Sequence, residues 1–187
     1  MVTEEMSPPR SSSNRNYSRR GSFIYNVYKG ALGRKPVFGE YAADRRQVIG
    51  GASVDAGKTV FSQAFVQRAE FVAKYQPHTT ARSFVDALLA NVQQASGVEL
   101  SGQRDALVAR YDGRANQIEN RGLVLLDVAE SSALKQAEYN SAFVSTDYFG
   151  YLRRDPDAAG LAYWFGSLEQ PGGRQLPRHG LRVCYLD

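Results

Sequence analysis

Two stretches of this chain, 120 residues apart, carry the same pattern. FIYNVYKGALGRKP at 23–36 and FVSTDYFGYLRRDP at 143–156 match in type at seven positions: Phe23, Ile24, Tyr28, Gly30, Leu32, Arg34 and Pro36 answer to Phe143, Val144, Tyr148, Gly150, Leu152, Arg154 and Pro156. The physical reading is one helix-turn-helix unit used twice. Phe, Tyr and Leu at three- to five-residue spacing give a helix one buried face. A glycine inside a helix costs about 1 kcal/mol against alanine, so Gly30 and Gly150 are expected where a neighbouring backbone comes close. The arginine falls near the last turn, where a cation meets the negative end of the helix dipole. Proline then stops that helix and opens the next. In the second unit Asp155 and Pro156 are expected as N-cap and first residue of a helix, DPDAAGLAYWFGSL, running to about 170. Phe84-Val85 followed by LLANV suggests a third, worn copy.

The chain between the two copies keeps the helical period. Phe61, Phe65, Ala69 and Val72 form one apolar stripe within 57–75, and Val85, Leu88, Leu89 and Val92 another within 80–95. Tyr139 with Phe143 and Val144 with Tyr148 extend four-residue spacing through 131–153. Thr79 or Thr80, Ser101 and Ser131 stand where N-caps are wanted. No β-branched alternation is sustained, and Asp112-Gly113 lies between segments that do not alternate, so it reads as a break between helices. The expected fold class is all-α, a compact multi-helix bundle.

The ends differ from this body. Residues 1–21 are rich in Ser, Arg and Asn with little to bury, and are expected to be a disordered tail. Residues 171–187, with two prolines and three glycines, are expected to be irregular. The domain is therefore 22–170. The net charge of +4 sits in the tails: four arginines against two glutamates in 1–21 and three arginines against one aspartate in 171–187. The remaining 16 basic and 16 acidic residues cancel, so the body lacks the basic excess of a nucleic-acid module. No apolar run reaches the roughly 20 residues of a membrane span, and 1–21 contains no apolar signal-peptide core. One cysteine, Cys184, excludes an internal disulfide.

Several patterns point to chemistry. Ala52-x4-Gly57-Lys58-Thr59 resembles a phosphate loop, and LVLLD, ending in Asp127, could be its magnesium-binding strand. Such a loop works when a buried strand delivers it to a helix N-terminus. EYAADRRQVIGG is a poor strand, and LVLLD lies in helical surroundings. The favoured reading is a surface loop in which Ser53 or Asp55 caps the next helix. Nucleotide binding through Lys58, Thr59 and Asp127 stands as the alternative. DPDAAG opens like a calcium loop but lacks further oxygen ligands, so capping is expected. His78 and His179 read as loop residues, and His179 with Cys184 falls short of a zinc site. Asp155 and Asp157 read as residues of a helix start rather than an acid–base pair. Six aromatics, Tyr148, Phe149, Tyr151, Tyr163, Trp164 and Phe165, lie within 18 residues. One helix pair cannot easily hide them all, so one or two are candidates for partner contact.

The second copy with its following helix, FVSTDYFGYLRRDPDAAGLAYWFGSL, resembles a bacterial repeat family known as domain of unknown function four-two-one-four. Its signature is Phe-Val, Tyr, Leu-Gly-Arg, then Pro-Asp-x-x-Gly and an aromatic-Trp pair. Phe143, Val144, Tyr148, Leu152, Arg154, Pro156, Asp157, Gly160, Tyr163 and Trp164 answer to it, with Arg153 in place of the glycine. The first copy keeps Leu32-Gly33-Arg34 but has neither the Asp nor the Trp after Pro36. The chain is also similar, more distantly, to the helical linker domains of phycobilisomes. The resemblance implies an all-helical module of larger exported or surface bacterial proteins, with no catalytic residues assigned. Relatives carry a further helix after the Trp-bearing one, which implies a truncated or frame-shifted end here. The expected function is a non-enzymatic spacer or protein-interaction module, with no cofactor, metal, nucleic acid or small-molecule ligand.

Overall fold

The computed structural model describes residues 12–49, 52–112 and 116–168, with side chains from Ser22 onward except those of 165, 167 and 168. The expected irregular tail at 171–187, with His179 and Cys184, lies outside the described residues, as do residues 1–11. The described chain is helical and without strands. The helices are α1 (Ser12–Leu32), α2 (Phe38–Ile49), α3 (Val54–Phe65), α4 (Ala69–Tyr75), α5 (Ala81–Ser96), α6 (Arg104–Asp112), α7 (Gln117–Glu130), α8 (Ser132–Ala137), α9 (Tyr139–Asp147) and α10 (Ala158–Leu168). A 3₁₀ turn, Ser101–Gln103, leads into α6, and a π-helical turn, Tyr148–Leu152, continues α9. The backbone of α1 is helical from Ser12, so the boundary expected at residue 21 falls inside a helix.

The middle of the fold is α1, which packs against α2, α5, α7 and α9. Ile24, Val27 and Ala31 on α1 share a core with Leu88 and Val92 on α5, Val124 and Val128 on α7, and Leu134 on α8, all but sealed from solvent. The stripe Val85, Leu88, Leu89, Val92 is buried as its spacing predicts. The stripe over 57–75 is not continuous. The helix breaks after Phe65, Arg68 takes an extended conformation before α4, and the phase shifts so that Phe71 and Tyr75 are buried while Val72 is exposed. Two buried polar demands explain the break. Arg68 turns in to meet Asp44, and Tyr75 donates to the carbonyl of Ala31 at 2.7 Å.

Caps fall largely where the side chains predict them. Ser53, Thr80, Asn116 and Ser131 each accept from a backbone N–H in the first turn of α3, α5, α7 and α8. Ser101 does not cap α6, because it opens the 3₁₀ turn that precedes that helix; its own N–H donates to Glu99.

Gly30 does not mark close backbone approach. A methyl group there would meet Leu134 and Val128 side chains at 3.5 Å, ordinary contact. Close approach occurs at Gly57, where a Cβ would collide with the Val48 carbonyl, and at Gly122, where it would collide with the backbone of Gln63. These two glycines let α3 lie tightly between α2 and α7.

The candidate interaction face

The repeat read from sequence is a repeat of structure. Helix α2 begins at Phe38 and α10 at Ala158, again 120 apart. The residue after each leading helical segment is left-handed: Gly33 at φ 78° and Arg153 at φ 50°. Pro36 and Pro156 are both buried. Arg34 lies over the ring of Tyr28 at 5.2 Å, and Arg154 over Tyr148 at 5.7 Å. Each arginine then reaches a carboxylate at the start of the next helix, Glu40 in one copy and Asp157 in the other. Leu32 and Leu152 are both half-buried.

The helix starts differ from expectation by one step. Asp157, not Asp155, is the N-cap of α10: its carboxylate accepts from Gly160 N–H at 2.7 Å and its carbonyl from Leu161 N–H. Pro156 therefore stands before the cap. Asp155 instead accepts from Phe38 N–H at 2.9 Å and so caps the other copy's helix. The first copy uses the complementary device, with Glu40 accepting from Val37 N–H. Neither repeat arginine neutralises the end of α1. The carbonyls of Gly30, Ala31 and Leu32 are taken by Asn91, Tyr75 and Lys74, and Lys74 also donates to Asn91. Nothing in the local sequence signals those three partners.

Around the first copy the polar groups are multiply partnered, and Tyr28 and Asp44 are buried. The Tyr28 hydroxyl donates to Asp44 at 2.8 Å, and Arg68 donates to both oxygens of Asp44 at 2.5 and 3.0 Å. Burial, then the bonded Asp44, pushes the Tyr28 hydroxyl well above the usual phenol range. Arg34 is held twice, by Glu40 at 2.8 and 2.9 Å and by Glu70 of α4 at 2.6 and 2.9 Å. Those bonds hold both carboxyls below the ordinary range and raise the guanidinium. Phe23 packs edge-on to Phe61, and Tyr28 edge-on to Phe65.

The second copy is open. Phe143 is half-buried and stacks on exposed Tyr139. Arg154 pairs with Asp157, and both side chains are more than half exposed. At the positions of Tyr41 and Asp44, each 2 % exposed, α10 places Leu161 and Trp164, which stay half-buried. Tyr163 and Tyr151 are 68 % and 60 % exposed. Tyr148 is buried, with its hydroxyl against Gly160, where a Cβ would collide with it. The copies join through Phe149, whose ring lies 4.8 Å from Tyr41 and 6.1 Å from Phe38. Asp147 stands where the first copy has fully buried Val27, and burial pushes its carboxyl up to about 6.

The phosphate-loop alternative loses its geometric premise. The segment before Ala52 is helix α2, and Gly57, Lys58 and Thr59 lie inside α3 rather than before it. Lys58 pairs with Glu130 at 2.9 Å, Thr59 donates to the carbonyl of Asp55, and Asp127 sits within helix α7, paired with Arg110. Among the described residues no group of three His, Cys, Asp or Glu is placed to hold a metal, and no helix is long and apolar enough to cross a membrane.

Residues 128–175 match the family model described as Domain of unknown function (DUF4214). The match begins in α7 and takes in α8, α9 and α10, and so contains the second copy but not the first. No curated protein and no solved structure matches the chain.

Proposed function

We propose that the chain is a non-enzymatic helical interaction module, and that the second repeat copy with α10 is its binding face. One observation carries this reading. The positions that Tyr41 and Asp44 seal in the first copy are occupied in the second by Leu161 and Trp164, which remain half-open on a helix without a charged residue from 158 to 168. Partly uncovered aromatics on a rigid scaffold are what a protein partner anchors to. The polar chemistry elsewhere is committed to holding helices together. Asp44 serves Tyr28 and Arg68, and buried Glu138 serves Tyr25 and Lys29. Placement within a larger bacterial surface or extracellular protein follows from the family resemblance alone.

Trp164 is the one tryptophan in the chain, so its fluorescence reports on this face. In the isolated protein its emission is expected between the sealed and the fully water-exposed limits, with measurable quenching by acrylamide, as its half-buried ring requires. Emission typical of a sealed indole, inaccessible to quencher in a monomer, would rule out α10 as the docking face.

A further inference from the structure

In the first copy, the segment that follows α2 packs back against both α1 and α2. Phe61 of α3 sets its ring edge-on to Phe23, Phe65 sets its ring edge-on to Tyr28, and Gly57 lets α3 meet the Val48 carbonyl near the end of α2. Phe23 is sealed there. The equivalent groove lies between α9 and α10, and among the described residues nothing comparable fills it. Phe143, at the position of Phe23, is half-buried, and its ring stacks on exposed Tyr139. The chain leaving α10 repeats the pattern of the chain leaving α2. Gly50-Gly51 separates α2 from α3, and Gly172-Gly173 follows α10 at nearly the same interval. An apolar run comes next in both: LRVCYL (181–186) lies as far beyond Gly173 as VFSQAF (60–65) lies beyond Gly51, to within one residue. The family match also runs past the end of α10, to residue 175. Pro177 has no counterpart in α3, so the equivalence is one of position and apolarity rather than of helix.

We propose that residues 181–186 lie in the α9–α10 groove of their own chain, as a strap against Phe143. The tether selects this occupant. A segment joined to the groove by a short linker meets it at an effective concentration of about millimolar, an advantage that any separate partner must overcome. The strap suits an uncharged groove: five of its six side chains are apolar, with Arg182 the exception. It does not reach Trp164. That residue stands at the position of Asp44, which in the first copy is met by Arg68 after α3 has ended. The inference therefore narrows the binding face to the Tyr163 and Trp164 side of α10, and it stands or falls separately from that reading.

Cys184, the one cysteine, lies inside the strap and reports its seat. With Ellman's reagent, the thiol of the full chain is expected to react about tenfold more slowly, or slower still, than in a free peptide of residues 174–187, since a thiol under apolar cover is both less accessible and less ionised. Phe143→Ser should return the rate close to that of the peptide. Val183→Ser alters no residue of 22–168 and should do the same, with helical circular dichroism and Trp164 emission unchanged. Tyr163→Ala, on the exposed side of α10, should leave the protection in place. The proposal is overturned if Cys184 of the unaltered chain reacts at the peptide rate, or if protection survives Val183→Ser or a folded Phe143→Ser. Protection that grows with protein concentration would place the strap in the groove of a second copy and overturns it as well. A freely reactive Cys184 beside a half-exposed Trp164 sinks this inference and leaves the binding-face reading standing. A protected Cys184 beside a sealed Trp164 does the reverse.

Discussion

The first copy, 23–36 with α2, and the second, 143–156 with α10, share the order helix, left-handed residue, buried proline, helix, and differ in their surroundings. The first is enclosed by α3, α4, α5 and α7, and its arginine is gripped by two carboxylates. The second is covered on one side, and among the described residues its arginine pairs with exposed Asp157. Yet the family match falls on the second copy and misses the first. Sequence signature and burial have therefore separated. The enclosed copy has neither the Asp nor the Trp after its proline, and its Asp44 is met by Tyr28 and Arg68, whereas the open copy has the aromatic residues that the resemblance specifies. The lesson is that the unit's geometry depends on Tyr, Leu, Arg and Pro, and the identity of its following helix depends on what covers it.

The joint between the copies is the most sensitive place to break this comparison. Phe149→Ala removes a ring buried against Tyr41 and Phe38, and should cost about 3 kcal/mol in urea unfolding, the scale for deleting a buried phenyl group. A loss below about 1 kcal/mol would mean that the copies fold without leaning on each other. Asp44→Ala takes the carboxylate from the Arg68 guanidinium and the acceptor from the Tyr28 hydroxyl, leaving the Arg68–Tyr28 bond at 2.7 Å. Breaking a well-buried pair costs about 3–5 kcal/mol, and the partial exposure of Arg68 lowers the expectation to about 2. The corresponding change in the second copy, Trp164→Ala, should cost less than Asp44→Ala, and equal losses would show that α10 is as enclosed as α2.

Acid titration should act on the two copies with opposite sign. Glu40 and Glu70 have carboxyls held down by Arg34. Their contribution is present above the unfolded value of 4.5 and is lost as pH falls through their lower folded values. Asp147 is raised from 3.8 to about 6. It therefore costs stability at neutral pH, and the cost is relieved as pH falls from about 6 toward 3.8. Asp147→Asn should raise Tm at pH 7 by about 3 °C, and the gain over wild type should fade as pH approaches 4. A gain that persists unchanged in acid would assign the effect to packing instead of charge.

The smallest expected effect concerns the turn. Arg153 holds the left-handed conformation that Gly33 adopts freely. Arg153→Gly should stabilise by about 0.5–1 kcal/mol, the steric cost of a Cβ there less the entropy of a new glycine. Gly33→Ala should destabilise by about 1 kcal/mol, since the added Cβ would also sit 3.1 Å from the Asn91 side-chain oxygen. If both changes are neutral in thermal melts, the left-handed conformation carries no measurable steric cost at either turn.

Much of the architecture was legible in one dimension. The helical class, the stripe on α5, the caps Ser53, Thr80 and Ser131, and the repeated unit are short-range properties, set by side chains within a turn or two of each other. The same locality explains why the phosphate-loop pattern is misleading: Gly57, Lys58 and Thr59 have the right spacing, but the strand needed before them is a helix. The errors lie where partners are distant. The Asp155 carboxylate caps a helix 117 residues away, and Arg68 breaks the stripe on α3 to reach Asp44. Tyr139 follows the helical period yet is exposed, because period fixes a face and not what lies opposite it.

The sequence by itself determined that this chain is helical, that one unit occurs twice, and which residues hold that unit's turn, because those properties arise from contacts within it. Only the tertiary structure decided that the first unit is sealed and the second left half-covered. That outcome depends on α3 and α4 returning to one copy, a long-range choice that no local spacing encodes.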